Sequence, residues 1–397
     1  GVVSVYANGS LRSEWLSPGY SDVDLALVVR LDGLTEELQF RHELRRRLQL
    51  LNKLAPVFRD QNYLEFVDLS LLRRFTDAWA VNLDARWTWL AGEKIPRRPE
   101  GAPAQGPRAR ALAYAINVMR RWQKASANLL DPHQPGYRTL ETEHRGVNRL
   151  LADCLAATLV VDRQTPLRDL LEEAARRGHD VSAWKRDALA PRPATFAESR
   201  ARVVRLMAVT LAETERMVTD VSRTWDGQWA PSPELALPTP LVDAARPVAA
   251  IALEEGFAHV ALVSRLGAEH SLLVVPPDQS PAESVARHVR LLARVPRLPG
   301  ADSLWAGQRP TLLTRTLWHA AALLDPPPFI AEALASGRYP GWGAPPPGPP
   351  RPSEPEWTEL IRTRALHQFR RARARAFRYG KRGDALASVA RFGHDLV

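Results

Sequence analysis

Cysteine and long apolar runs are scarce in this chain. One cysteine, Cys154, occurs among 397 residues, which excludes an internal disulfide and a cysteine-based zinc site. Cys154 lies in an apolar helical pattern, so we predict a buried structural thiol rather than a nucleophile. No apolar run reaches the roughly 18–20 residues of a membrane span. Residues Gly1–Val5 predict a strand rather than a signal peptide, and a reducing, cytoplasmic setting is expected.

Lysine is also scarce. Five of the 54 basic residues are lysine, the rest are arginine, and the net charge is +10. Together with 33 prolines, this usage is typical of a GC-rich genome, so part of the basicity reflects codon usage rather than a polyanionic partner. The charge is uneven, because residues 351–397 hold eleven Lys/Arg against five Asp/Glu. Within it, Gln368–Arg382 is basic with interleaved aromatic residues, a pattern that suits contact with a nucleic acid. The alternative, which the pattern favours, is an amphipathic helix docked by its apolar stripe with its arginines in water.

The most informative pattern is a Gly9-Ser10 turn followed by two aspartates, Asp22 and Asp24, where an apolar strand begins. In a β-strand this spacing puts both carboxylates on one face. Adjacent carboxylates repel each other and are costly to keep ionised. A divalent metal that carries a phosphate is the usual reason for such a pair. The pattern therefore predicts an enzyme, and the alternative is two solvated turn residues.

The residues around the aspartates favour phosphate chemistry. Gly9 has no Cβ, so its backbone can approach a phosphate, and the Ser10 hydroxyl can donate a hydrogen bond to it. A later apolar strand, predicted over Tyr63–Leu72, contains Asp68, the candidate for a third metal-binding carboxylate. Glu65 is its competitor on the opposite face of that strand. The alternative for Asp68 is an ion pair with a neighbouring arginine.

These residues resemble the nucleotidyltransferase superfamily of DNA polymerase β, most closely its small bacterial members, including antibiotic nucleotidyltransferases. The resemblance covers about residues 1–95. It implies transfer of a nucleoside monophosphate from an NTP, with ATP the expected donor, to an acceptor hydroxyl, using two Mg²⁺ ions and releasing pyrophosphate. It implies catalytic, metal-binding roles for Asp22, Asp24 and Asp68, and nucleotide-binding roles for Gly9, Ser10 and Ser21.

Two questions stay open at the level of sequence. The acceptor is a small molecule if the antibiotic-modifying members are the right guide. It is RNA, such as a tRNA end, if the basic tail engages the substrate. A non-catalytic nucleotide- or RNA-binding protein on the same fold is a third interpretation, which the intact set of acids argues against. No membrane partner is expected, and the oligomeric state is not indicated.

The predicted fold class is α+β. We predict a nucleotidyltransferase domain with a polymerase β-like mixed sheet over residues 1–95, then a helical bundle domain over 108–225. A smaller mixed α/β and helical region follows over 245–338. A proline-rich linker, extended or disordered, spans 339–356, and a basic helical tail spans 357–397.

Local periodicity predicts the elements within these regions. The predicted strands are Val2–Ala7, Asp22–Arg30 and Tyr63–Leu72, with a hairpin formed by Ala258–Ser264 and Ser271–Val275. The predicted helices are Thr35–Leu54, Trp79–Leu90, Ala109–Leu129, Thr139–Val161, Leu167–Arg177, Ala197–Thr219, Pro281–Arg294, Thr311–Leu324 and Trp357–Phe377. Weaker candidates for site residues are Glu141, Glu143 and His144 as a general base, and Arg120, Arg121 and Lys124 as phosphate contacts.

Overall fold

The structure is a computed structural model. It describes residues 1–8, 24–30, 64–68, 88–95, 107–132, 167–189, 195–230, 237–265, 269–295, 309–324 and 329–363, together with scattered positions in 39–50 and 148–159. Contacts divide the chain into two compact units. Unit 1 comprises Gly1–Arg110, Asp162–Pro166 and Ala365–Val397, and unit 2 comprises Ala111–Val161 and Leu167–Arg364. Both units contain sheet and helix, so the α+β class is confirmed.

Unit 1 contains a four-stranded mixed sheet. Its strands are β1 (Val2–Asn8), β2 (Asp24–Val29), β3 (Leu64–Asp68) and β4 (Thr88–Gly92), in the order β3-β2-β1-β4. β1 runs antiparallel to β2 and β4, whereas β2 and β3 are parallel. The first three strands confirm the sequence predictions over the described residues, and β2 ends at Val29, one residue before the predicted end.

Helix α1, described at positions between 39 and 50, covers one face of this sheet. Leu27 and Val29 of β2 are buried, and Phe40 and Leu44 of the helix pack against them together with Val5 of β1. These strand residues alternate along their strands, so they lie on a single face. The predicted helix Thr35–Leu54 is therefore confirmed at the described positions.

The predicted helix Trp79–Leu90 is wrong at its C-terminal end, because residues 88–90 belong to β4. The sequence also predicts a turn over Ala91–Ile95, and this is wrong at Ala91 and Gly92, which are still in the strand. Gly92 has φ +85°, and a Cβ there would lie 2.3 Å from the Val3 carbonyl oxygen. Pairing with β1, a contact far along the chain, overrides the local pattern. Residues 79–87 lie outside the described part.

Unit 2 is built mainly from helices. They are α2 (Pro107–Asn128, which begins in unit 1), α3 (described positions in 148–159), α4 (Leu167–Arg176), α5 (Ser182–Ala188) and α6 (Phe196–Ser222). The four long helical segments predicted here are confirmed where described, and α5 is an addition. The Thr195 hydroxyl accepts a hydrogen bond from the Glu198 amide and begins α6. No helix in the described residues has the length and apolarity to cross a membrane.

A second four-stranded sheet packs among later helices of unit 2. Its order is β7-β6-β5-β8, with β5 His259–Arg265, β6 Glu269–Val275, β7 Thr311–Leu312 and β8 Gly341–Gly343. The helices are α7 (Thr239–Glu254), α8 (Pro281–Arg294), α9 (Arg315–His319) and α10 (Phe329–Ser336), with a short 3-10 turn at Ala321–Leu323. The predicted hairpin is confirmed as β5 paired antiparallel with β6.

Two sequence predictions change in this part of unit 2. The helix predicted over Thr311–Leu324 begins instead at Arg315, because Thr311–Leu312 is a buried strand that pairs in parallel with β6. Helix α7 contains Pro247 and begins within a stretch that the sequence marks only as proline-rich. α6 packs on α8 and α9, so the helices and the second sheet share a core. The domain boundaries between them stay predictions.

The proline-rich segment predicted as a linker is extended, as expected, but it is not disordered. Residues 344–353 contain no regular helix or strand and are held against unit 2 by hydrogen bonds described below. Helix α11 follows over residues 354–363 and confirms the start of the predicted tail helix, three residues early. The rest of the basic tail lies outside the described residues.

A buried polar cluster joins α2, α8 and β7 in unit 2. Arg309 and Asp131 form an ion pair with Nε 3.0 Å from Oδ2, and Nη2 donates to Oδ1 at 3.1 Å. His288 Nε2 lies 3.2 Å from the Ser126 carbonyl oxygen. Complete burial lowers the pKa of His288 to about 4, and the charge of Arg309 acts in the same direction. His288 is therefore neutral in the folded state at neutral pH.

This burial predicts an acid-dependent loss of stability. The pKa of His288 is lowered from its ordinary value of 6.5 to about 4 in the folded state, so the unfolded state binds a proton first as the pH falls. The free energy of unfolding is therefore highest above pH 6.5 and decreases between pH 6.5 and pH 4. The loss over that window amounts to about 3 kcal/mol. We expect His288→Gln, which keeps a donor but does not titrate, to flatten the profile of unfolding free energy against pH. Urea unfolding at pH 7, 5.5 and 4 measures it, and parallel profiles for the two proteins would contradict the assignment.

Candidate functional site

The end of β1 and the beginning of β2 meet at one edge of the unit 1 sheet. The Cα of Asn8, the last residue of β1, is paired with that of Asp24, the first residue of β2. Directly paired residues in an antiparallel ladder have Cα atoms about 4.5–5.5 Å apart. The chain therefore leaves β1 towards Gly9-Ser10 and enters β2 from Ser21-Asp22 at the same edge.

The parts of β1 and β2 next to this edge are buried. Tyr6 and Ala7 of β1 are buried, and the next four residues after Leu25 in β2, Ala26–Val29, are buried as well. A strand buried on both faces is typical of the centre of a covered sheet. Four of the predicted site residues, Gly9, Ser10, Ser21 and Asp22, lie outside the described residues. Asp24 is placed by its backbone alone.

The register of β3 separates Asp68 from Asp24. Leu25 is paired with Leu64, and Val29 with Asp68. Asp68 is thus opposite a position five residues beyond Asp24, which corresponds to about 16 Å along a parallel strand. The described backbone brings Asp24 to the edge where β1 ends, and it does not place Asp68 at that edge.

Glu65 is closer to Asp24 in this register than Asp68 is. It is paired with Ala26, two residues from Asp24, or about 7 Å along the strand. Positions 24 and 26 alternate onto the same face, and position 65 is directly opposite position 26. The pattern of β3 alone favours Asp68 over Glu65 as the third carboxylate. Which face of β3 matches that of Asp24 is decided only by the pairing of β2 with β3.

Strand β4 and the residues directly after it form hydrogen bonds with β1 on the side opposite β2. The Tyr6 hydroxyl accepts a hydrogen bond from the Ile95 amide at 3.1 Å, and the Ser4 hydroxyl donates to the Ala91 carbonyl at 3.3 Å. The Glu93 amide donates to the Val3 carbonyl at 2.9 Å. These bonds hold β1 between β2 and the segment 88–95.

The weaker candidates fall in different environments. Cys154 is fully buried with its sulfur 3.3 Å from the Thr214 hydroxyl, which confirms the predicted buried thiol. Lys124 of α2 is exposed, whereas Arg120 and Arg121 are partly buried. The candidates for a general base lie outside the described residues: Glu141, Glu143 and His144.

Within the residues whose side chains are described, no three of His, Cys, Asp and Glu come together as metal ligands. Asp24, Glu65 and Asp68 are described only by their backbone, so they are not among these residues. No protein-family profile, curated protein or solved structure matches this chain.

Proposed function

We propose that this chain is a Mg²⁺-dependent nucleotidyltransferase that moves a nucleoside monophosphate from an NTP to an acceptor hydroxyl. One observation carries the proposal: Asn8, which directly precedes Gly9-Ser10 in the sequence, is paired with Asp24, the first residue of β2. A phosphate-binding turn beside a pair of carboxylates is the arrangement that phosphoryl-transfer chemistry requires.

In this proposal one set of residues binds the phosphates of the NTP and another binds the metal. Gly9 lets the backbone approach the triphosphate closely, and the Ser10 and Ser21 hydroxyls donate hydrogen bonds to its oxygens. Asp22 and Asp24 supply carboxylate oxygens, which are the ligands that Mg²⁺ prefers. Asp24 fits this role because it begins a strand at an edge rather than lying inside the buried part of β2. Bound Mg²⁺ would neutralise the triphosphate and lower the pKa of the acceptor hydroxyl.

The reaction is an in-line displacement at the α-phosphorus. A new bond forms between the acceptor oxygen and phosphorus, the bond to the bridging oxygen breaks, and pyrophosphate leaves with the electron pair. The hydroxyl proton passes to a base, and the candidates for that base are the two carboxylates of β3, Glu65 and Asp68. The acceptor in this proposal is a small molecule, with RNA as the alternative outcome of the test.

The third carboxylate can be identified by a matched pair of variants. The β2–β3 register predicts that Glu65→Gln lowers the rate of transfer by about a hundredfold, whereas Asp68→Asn lowers it by less than tenfold. Each change removes one charge and keeps the shape of the side chain. Single-turnover rates with saturating NTP and Mg²⁺ measure both. A larger loss for Asp68→Asn would restore Asp68 as the metal ligand and contradict the register argument.

The proposed activity is tested by incubating the full chain with each of the four NTPs labelled at the α-phosphate. Reactions contain Mg²⁺ or EDTA, and either a panel of small hydroxyl compounds or bulk tRNA. We expect Mg²⁺-dependent release of pyrophosphate with label in a small-molecule product. Label in RNA would replace the small-molecule acceptor by RNA. No pyrophosphate release from any NTP with either acceptor class would overturn the proposal.

A further inference from the structure

Residues 344–353, here called the strap, cross unit 2 as an extended proline-rich segment between β8 and α11. Five of its first seven residues are proline. Consecutive prolines favour the polyproline II conformation, which has three residues per turn and no internal hydrogen bonds. Its carbonyl groups are therefore available to partners along its length.

Burial along the strap has a period of three. Pro346 is partly buried, and Pro349 and Pro352 are buried, whereas Pro345 and Pro347 are exposed. Positions 346, 349 and 352 fall on one edge of a three-residue helix. Pro350 and Arg351 are partly buried as well, but the two fully buried prolines of the strap, Pro349 and Pro352, both lie on this edge. A prolines-inward edge of this kind is the pattern of a bound polyproline ligand.

Two tryptophan side chains donate hydrogen bonds to the strap. The Trp318 indole Nε1 donates to the Pro347 carbonyl at 3.1 Å, and the Trp229 indole Nε1 donates to the Pro349 carbonyl at 2.8 Å. Aromatic grooves with indole donors are the usual partners of proline-rich segments. Trp318 is almost completely buried, so its indole is a fixed donor.

The strap is also seated by its glycine and its last residues. A Cβ on Gly348 would lie 3.0 Å from the Ala335 Cα of α10, so glycine lets the strap approach α10 without a tight contact. Arg351 exchanges two backbone hydrogen bonds with Gly227, at 2.7 and 3.1 Å. A cavity of about 340 Å³ remains between the strap, residues 227–230 and the end of α10. The strap is therefore held by discrete bonds rather than by close packing along its whole length.

The strap leads directly into helix α11. The Arg351 guanidinium lies over the Trp357 ring, 5.8 Å from its centroid, and Trp357 meets Trp229 edge to face at 5.0 Å. Trp229 thus contacts both the strap and the first turn of α11. In the sequence, α11 continues towards the arginine-rich segment Gln368–Arg382.

We propose that the strap is an internal polyproline ligand of unit 2, and that its docking is a reversible clasp that holds α11 in place. Trp229, Trp318, Gly227 and Ala335 form the recognition groove, and an extended proline-rich segment is the chemical class that this groove binds. The chain supplies that segment itself. When the clasp opens, the strap and α11 leave together while the core of unit 2 stays folded.

Native-state hydrogen exchange on the full chain tests the clasp. Trp229→Phe and Trp318→Phe each remove one indole donor and keep an aromatic ring. We expect each to speed exchange of the α11 amides about fivefold, as the loss of one hydrogen bond predicts, while amides in the middle of α6 keep their rates. Trp225→Phe is the matched control, because Trp225 is buried and its indole nitrogen has no partner among the described residues.

Gly348→Ala supplies a second variant that leaves the groove's tryptophans intact. Its Cβ crowds Ala335 and pushes the strap away from α10, so we expect it to speed α11 exchange as well. It keeps the test available if an indole variant fails to fold. Equal acceleration in α6 and α11 would show that the strap opens only with global unfolding. Unchanged α11 exchange in the tryptophan and Gly348 variants would show that the groove does not hold the helix. Either result overturns the clasp.

Discussion

Replacing Asp22 and Asp24 together by asparagine is expected to abolish nucleotidyl transfer while leaving the fold intact. Loss of one preorganised electrostatic contact typically costs 10²–10³ in rate, so loss of both carboxylates should lower the rate by about a thousandfold or more. Asparagine keeps the size and the polar character of aspartate, and Asp24 lies at a strand end rather than in the buried interior of β2. Pyrophosphate release from the α-labelled NTP measures the effect.

The matched control for this pair is Asp220→Asn, an exposed aspartate near the end of α6 that has no place in the proposed site. It should retain the rate of the unchanged protein. Circular dichroism and the urea midpoint of all three proteins should coincide, which separates lost chemistry from lost structure. If the double variant still transferred the nucleotide, Asp22 and Asp24 would not be the metal ligands.

Replacing Arg309 by methionine is expected to destabilise unit 2 by about 3–5 kcal/mol, the usual cost of breaking a buried ion pair on one side. The side chains of Arg309 and Asp131 are 9% and 1% exposed, so the change leaves a buried carboxylate without its guanidinium. The carbonyls of Val295 and Leu292 lose a donor as well, since Arg309 donates to them at 2.8 and 2.6 Å. Urea unfolding followed by tryptophan fluorescence gives the change in free energy.

A surface ion pair provides the control. Arg315 and Asp278 lie 3.0 Å apart with side chains 61% and 73% exposed, and Arg315→Met should cost less than about 1 kcal/mol. Arg309→Met combined with Asp131→Leu should recover part of the loss, because both charges then leave the interior. Similar costs for the two arginine variants would contradict the role of the buried pair.

Local pattern predicted the elements whose own residues carry the signal. Pro281–Arg294 is helical over the predicted range because Ser280 and Glu283 form a capping box that can be seen in the sequence. The hairpin of β5 and β6 followed from two apolar runs separated by a short glycine-containing segment. Thr88–Gly92 and Thr311–Leu312 were missed because each becomes a strand only through a partner far along the chain.

The candidate site shows the same division. Spacing alone predicts that Asp22 and Asp24 share a face and that Gly9-Ser10 precedes them. Whether Glu65 or Asp68 lies nearer to Asp24 depends on how β3 is aligned with β2, and a shift of one residue exchanges the faces of the strand. No property of either strand by itself contains that alignment.

Residue type and local spacing were enough to predict the α+β class, the buried thiol of Cys154 and most of the described helices, and they supply the Gly9-Ser10 and Asp22/Asp24 pattern on which the proposed function depends. Tertiary structure decided the β3 register, the place of β4, the Arg309–Asp131 pair and the docking of the strap. These four features share a physical reason. Each is a contact between segments distant in the chain, whose stability comes from burial and hydrogen bonds that exist only once both segments are in place.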